Sequence, residues 1–76
     1  MPTPLSDLRP GESGTVVGLA GPGPSRRRLA EMGLVGGVRV TLVRVAPLGD
    51  PLELRVGAAS LALRRATARE VLVDAP

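Results

Sequence analysis

The sequence contains no phenylalanine, tyrosine, tryptophan or cysteine, and it also lacks histidine and lysine. The missing cysteine excludes disulfides, thiolate metal sites and thiol nucleophiles. The missing histidine removes the commonest general base and the usual ligand of transition metals. Without aromatic side chains, the chain cannot line a groove for proline-rich peptides or stack the bases of single-stranded nucleic acid. We therefore predict a non-enzymatic protein without a cofactor, a resident metal or a small-molecule substrate.

Long hydrophobic runs are also absent, because arginines interrupt the longest valine-rich stretch. The N-terminal residues lack the basic start and apolar run of a secretion signal. These features predict a soluble, cytoplasmic chain without membrane insertion. The 76 residues suffice for one small domain, residues 1–76, whose core must be aliphatic.

All ten basic residues are arginine, against seven carboxylates, which gives a formal net charge of +3. Guanidinium groups suit phosphate, carboxylate and protein-interface recognition. However, a lysine-free sequence rich in alanine, glycine and proline is also typical of biased genomic base usage, so charge alone favours nucleic-acid binding only weakly. The carboxylates are scattered singly and predict no metal site. They are Asp7, Glu12, Glu31, Asp50, Glu53, Glu70 and Asp74.

The clearest helix pattern covers residues 25–34, SRRRLAEMGL. Ser25 is a suitable N-cap, and Leu29 and Met32 fall on one face, which we expect to be core. Gly33 can adopt the left-handed conformation after the last turn. Leu34 would then contact Leu29, as in a Schellman ending.

Short alternating stretches at close spacing predict about five strands. A change of hydrophobic phase, from even positions up to Leu42 to odd positions from Val43, indicates a β-bulge. Leu5 and Leu8 suggest one helical turn, and residues 66–70 another. The predicted strands are residues 14–19, 38–45, 52–56, 61–63 and 71–73. Together these patterns favour a mainly β fold, a small barrel of about five strands with one short inserted helix.

The hexapeptide 46–51, Ala-Pro-Leu-Gly-Asp-Pro, lies between two predicted strands. As structure, Pro47 and Pro51 would rigidify a hairpin end, and Asp50 would cap its own turn by accepting hydrogen bonds from nearby backbone N–H groups. As function, the rigid loop would present Leu48 as an exposed apolar tip to a partner. The two interpretations are compatible.

Three consecutive arginines, Arg26, Arg27 and Arg28, occupy the first turn of the predicted helix, where the helix dipole disfavours cations. A solvated face with acidic neighbours would explain any one of them. Three together also fit a docking surface for an acidic or phosphate-bearing partner. Glu31 fits an ion-pair partner on the same helix better than a partner contact.

Three segments occur in order: RRRLAEMGL at 26–34, APLGDP at 46–51 and LALR at 61–64, preceded by Gly11, Gly14 and Gly21. This pattern resembles the FeoA family, small cytosolic proteins that accompany the ferrous-iron transporter FeoB. The resemblance implies an SH3-like barrel with an inserted helix. The same domain forms the C-terminal part of DtxR-type metal-dependent repressors.

The resemblance implies an accessory or regulatory protein that binds the cytosolic GTP-binding domain of a FeoB-like transporter. We expect Arg26, Arg27, Arg28 and Leu48 to form the contact surface. One alternative is a basic small barrel that binds nucleic-acid backbone, and another is a DtxR-like regulatory domain. The sequence also allows a homo-oligomer, because exposed strand edges can pair between chains.

Overall fold

The computed structural model describes residues 1–75 and contains six strands, a 3₁₀ turn and two helices. In chain order these are β1 (Thr3–Pro4), the 3₁₀ turn Leu5–Asp7, β2 (Ser13–Leu19), α1 (Gly23–Glu31), β3 (Arg39–Val45), β4 (Leu52–Val56), β5 (Ala59–Leu63), α2 (Arg65–Ala68) and β6 (Val71–Asp74). The strands form one antiparallel sheet in the order β1-β6-β2-β3-β4-β5. The predicted mainly β fold with a short inserted helix is confirmed. The additional strand is the two-residue β1, which is too short to show alternation.

Two β-bulges bend this sheet. The register between β2 and β6 shifts between Val16 and Gly18, and the register between β3 and β4 shifts between Leu42 and Arg44. The second shift confirms the bulge predicted from the change of phase. Val43 is the extra residue of this bulge and is 45% exposed, so it lies outside the core. Because bulges increase local twist, they help the short strands curl around a shared interior.

The interior is filled by aliphatic side chains from every strand except β1, and from the turns and helices. Leu29 and Leu34 are buried as predicted, and Met32 is partly buried against the same cluster. The buried hydrophobic residues are Leu5, Leu8, Val16, Leu29, Leu34, Val40, Leu42, Leu52, Leu54, Val56, Leu63, Ala68, Val71 and Val73.

Helix α1 begins at Gly23, two residues before the predicted N-cap. Pro22 occupies the N-cap position, and no side chain caps the helix, so the prediction for Ser25 is wrong. Pro24 lies in the first turn, where its missing N–H is not needed and its fixed φ already suits a helix. Pro22 and Pro24 therefore both lie at the start of this helix.

The end of α1 is a Schellman motif, as predicted. Gly33 has a φ of +95°, which is the left-handed region that favours glycine. The N–H of Leu34 donates to the carbonyl of Leu29 at 3.0 Å, and the N–H of Gly33 donates to the carbonyl of Ala30 at 3.0 Å. These two bonds satisfy carbonyls that a helix otherwise leaves unpaired.

Helix α2 lies between β5 and β6 and packs against the 3₁₀ turn from the other end of the chain. Ala68 of α2 and Leu5 of the 3₁₀ turn are both fully buried. Neither helix in the described range has the length and apolarity that a bilayer span requires.

Candidate interaction surface

The hexapeptide 46–51 forms the rigid corner between β3 and β4. The N–H of Gly49 donates to the carbonyl of Ala46 at 2.8 Å, and the N–H of Ala46 donates to the carbonyl of Pro51 at 3.1 Å. Gly49 has a φ of +91°, and the Asp50–Pro51 peptide bond is cis. Leu48 is 97% exposed at the tip. The corner thus presents one large apolar side chain to solvent on a backbone held by its own hydrogen bonds.

Asp50 does not cap its own turn. Its Oδ1 accepts a hydrogen bond from the backbone N–H of Arg65 at 2.8 Å, across 15 residues. Arg65 is the first residue of α2, where backbone N–H groups have no partner within the helix. Asp50 therefore satisfies a backbone N–H at the start of α2, and the sequence-based prediction of a local cap is wrong.

Arg65 completes this junction with its side chain. Its Nε donates to the carbonyl of Gly49 at 3.2 Å, and its Nη1 donates to the carbonyl of Ser6 at 3.1 Å. One guanidinium thus joins the corner, α2 and the 3₁₀ turn. Sequence reasoning missed Arg65, because its partners lie 16 and 59 residues away and no local pattern marks them.

The three candidate arginines of α1 are all exposed, as a docking surface requires. Because the helix begins at Gly23, they follow its first turn, and Arg28 lies in the last turn. The helix dipole favours a cation at that end, so the predicted unfavourable position is wrong for Arg28. Their clustering remains the feature to be explained.

No acidic side chain neutralises these arginines within residues 1–75. The ion pair found in that range joins Arg44 Nε and Glu53 Oε2 at 2.9 Å, on the outer face of the sheet. Glu31 is exposed and forms no salt bridge there, so its predicted ion pair is wrong. The guanidinium groups of α1 are therefore available to an external anion.

Helix α2 adjoins both α1 and the Leu48 corner. Arg28 and Thr67 line a shallow depression of about 160 Å³ between α1 and α2. At the start of α2, Arg64 lines a second depression with Asp50 and Pro51. Six of the ten arginines lie on these two helices or at their ends. We call this region the helical face; it comprises Arg26, Arg27, Arg28, Arg64, Arg65 and Arg69, with Leu48 at one margin.

Comparison with known proteins identifies the chain at family level. The model of the FeoA domain matches residues 3–75. The chain belongs to the FeoA family. Its relatives include the Fe(2+) transport protein A/Fe(2+) transporter FeoB fusion protein of Porphyromonas gingivalis (strain ATCC BAA-308 / W83), which is 39% identical over 70 residues. That match covers 92% of this chain and 8% of the fusion protein, so the chain corresponds to a small part of that relative.

Solved FeoA structures share this fold. A crystal structure of iron uptake regulatory protein FeoA superposes with a TM-score of 0.89 at 30% identity, over 100% of this chain and 99% of that chain. Stenotrophomonas maltophilia FeoA, solved in complex with zinc and described as an SH3 domain protein, has a TM-score of 0.81 at 36% identity. The match covers 97% of this chain and 89% of that chain. The SH3-like barrel expected from the resemblance is confirmed.

In this FeoA-family chain, several carboxylates are engaged by the protein's own groups. Glu12 Oε1 accepts a hydrogen bond from the backbone N–H of Arg9 at 2.6 Å. Glu53 forms an ion pair with Arg44, and Asp50 accepts a hydrogen bond from the first residue of α2. No group of three or more acidic, histidine or cysteine side chains suited to holding a metal occurs in the described range. The helical face presents guanidinium groups, which suit contacts with carboxylate or phosphate groups.

Proposed function

We propose that this chain is a non-enzymatic cytosolic accessory protein of ferrous iron transport that binds the cytosolic GTP-binding domain of a FeoB-like transporter. The observation that carries the proposal is the relative in which transport protein A and FeoB are one polypeptide. Fusion raises the effective concentration of one domain beside the other. A binding surface between the two domains would hold them in the same association.

The helical face supplies such a surface. Arg26, Arg27 and Arg28 carry solvent-accessible guanidinium groups that suit carboxylates on a partner. Leu48 adds an exposed apolar side chain on a rigid corner, which loses little conformational freedom on binding. We therefore propose that an acidic patch of the transporter domain covers α1 while an apolar pocket receives Leu48.

Isothermal titration calorimetry with the soluble transporter domain tests this proposal. The triple variant R26A/R27A/R28A is expected to bind at least tenfold more weakly, while its unfolding free energy stays within about 0.5 kcal/mol of wild type, because these are surface positions. The matched control R9A/R39A/R44A removes the same charge from exposed arginines elsewhere and should bind nearly as wild type. Equal affinities for the two triple variants would contradict the assigned surface.

The five exposed arginines of the helical face, all except Arg65, also favour a second candidate function, contact with the phosphate backbone of nucleic acid. In that case, the logarithm of the association constant should fall linearly with the logarithm of salt concentration, whatever the nucleic-acid sequence. Fluorescence anisotropy with a labelled duplex at several salt concentrations measures this slope. A salt-dependent affinity for duplex combined with no binding to the transporter domain would favour the second function over the first.

A further inference from the structure

Strand β5 has an outer edge without a backbone partner in residues 1–75. Its five residues pair with β4, from Val56 opposite Ala59 to Leu52 opposite Leu63. No backbone hydrogen bond in the described range joins β5 to another element. An edge of this kind presents free N–H and C=O groups that can pair with another strand.

The two edges of the sheet differ in how they are protected. Strand β1 has only two residues, and one of them is Pro4, which has no N–H. Strand β5 has the sequence Ala-Ser-Leu-Ala-Leu, without proline or charge, and its pairing with β4 has no bulge. Short length, proline, charge and bulges are the usual means of preventing edge pairing. Strand β5 has none of them within its five residues.

We propose that β5 pairs antiparallel with β5 of a second copy of this chain, about a two-fold axis at Leu61. This register places Leu61 beside its counterpart, Ser60 beside Ala62, and Ala59 beside Leu63. Leu61 is only partly buried in one copy, so its counterpart would cover it. A two-fold interface closes after two copies, and the result is a dimer with one continuous sheet.

The charges next to β5 complement each other in this register. Within one copy, Arg55 lies opposite Ser60, and Glu53 lies opposite Ala62. Across the axis, each row of side chains therefore runs from Arg55 over Ser60 and Ala62 to Glu53 of the second copy. The ends of a row are three strand spacings apart, about 14 Å between backbones. Since the two central side chains are small, the long Arg55 side chain can extend above them toward Glu53 of the second copy, which also pairs with Arg44 of its own copy.

Sedimentation equilibrium over a range of protein concentrations tests the dimer, which does not depend on the transporter assignment. The wild-type chain is expected to show a reversible monomer–dimer equilibrium. Ser60 and Ala62 are exposed in the single copy, so charged variants at these positions should fold, which circular dichroism checks. S60K/A62K and S60E/A62E each place like charges beside each other across the axis and should weaken the dimer roughly tenfold or more.

The matched control is S60E/A62K, which keeps the net charge of wild type. It places opposite charges beside each other across the axis, and also beside Arg55 and Glu53 within each copy, so the dimer should persist or strengthen. The two like-charge variants change the net charge in opposite directions. If the dimer is weakened in both, the change in net charge is therefore not the cause.

Three results would overturn the proposal. One is a wild-type chain that stays monomeric up to millimolar concentration, and another is loss of the dimer in S60E/A62K. The third comes from amide hydrogen exchange, which should slow in β5 as protein concentration rises. If β5 amides slow only when the transporter domain is added, the partner of this edge is not a second copy.

Discussion

Arg65 holds together three segments that are far apart in the sequence. Its guanidinium donates to the carbonyls of Gly49 and Ser6, while its backbone N–H donates to Asp50. The corner that presents Leu48 therefore depends on an arginine of α2. Leu48 could be identified as an exposed tip from the prolines and glycine around it, because turn chemistry is local. The contacts of Arg65 could not, because they arise only when the barrel closes.

The variant R65A is expected to lower the free energy of unfolding by about 1–3 kcal/mol, the range for lost hydrogen bonds from a charged donor. Urea denaturation measures this change. R65K should recover only part of the loss, because an ammonium group lacks the planar fork that reaches two carbonyls at once.

Arg64 provides the control for this substitution. It is exposed, and its side chain makes no hydrogen bond or ion pair with the other described residues. R64A should therefore stay within about 0.5 kcal/mol of wild type. If R64A lowers the free energy of unfolding as much as R65A does, the change in net charge, and not the lost junction, is the cause of the destabilisation.

At the scale of elements, α1 shows which features of a helix can be predicted from adjacent residues. Its end was predictable because a glycine in the left-handed region and an apolar residue after it form a motif of adjacent residues. Its start was not, because Pro22 and Pro24 favour both a chain break and a first helical turn. The packing of Leu29 on the sheet selects the helix, and packing is not a local signal. The three arginines were consequently assigned to the wrong turn.

Two glycine substitutions near the end of α1 should have different effects on stability. G33A forces a Cβ into the left-handed region at a φ of +95° and should destabilise the protein by about 1–2 kcal/mol. Gly36 has no positive φ, and a Cβ added there would meet no atom within 4 Å beyond its chain neighbours. G36A should therefore be neutral or stabilise by up to about 1 kcal/mol, by restricting the unfolded chain. Thermal unfolding of both variants measures the difference, and equal destabilisation would contradict the Schellman assignment.

At the scale of the whole molecule, more of the fold than of the surface could be predicted from the sequence. The alternation of apolar and polar residues predicted which side chains of β4 face the interior, and the change of hydrophobic phase predicted the bulge in β3. Both follow from the two-residue period of strands. The surface depends on how helices and corners meet after closure, as with Asp50, which caps a distant helix and not its own turn. The contact of Arg65 with the corner and the 3₁₀ turn is a second such consequence.

Closure of the barrel brings the start of the chain into the core. Leu5 is fully buried, next to a β1 that pairs with β6 near the other end. L5A should cost about 2–5 kcal/mol, the range for removing a buried leucine side chain. A domain of this size has a total stability of about 4–11 kcal/mol, so this single truncation removes a large part of it. Urea denaturation of L5A should show a markedly lower midpoint.

L48A is the matched truncation outside the core. It removes the same atoms from a side chain that is 97% exposed, so its unfolding free energy should stay within about 0.5 kcal/mol of wild type. Its affinity for the transporter domain should fall, because the apolar contact at the corner is lost. If L48A instead destabilises the fold as much as L5A does, Leu48 is packed in solution and cannot be the exposed tip of a binding surface. The two variants together thus separate the residues that hold the barrel closed from the residue that it displays.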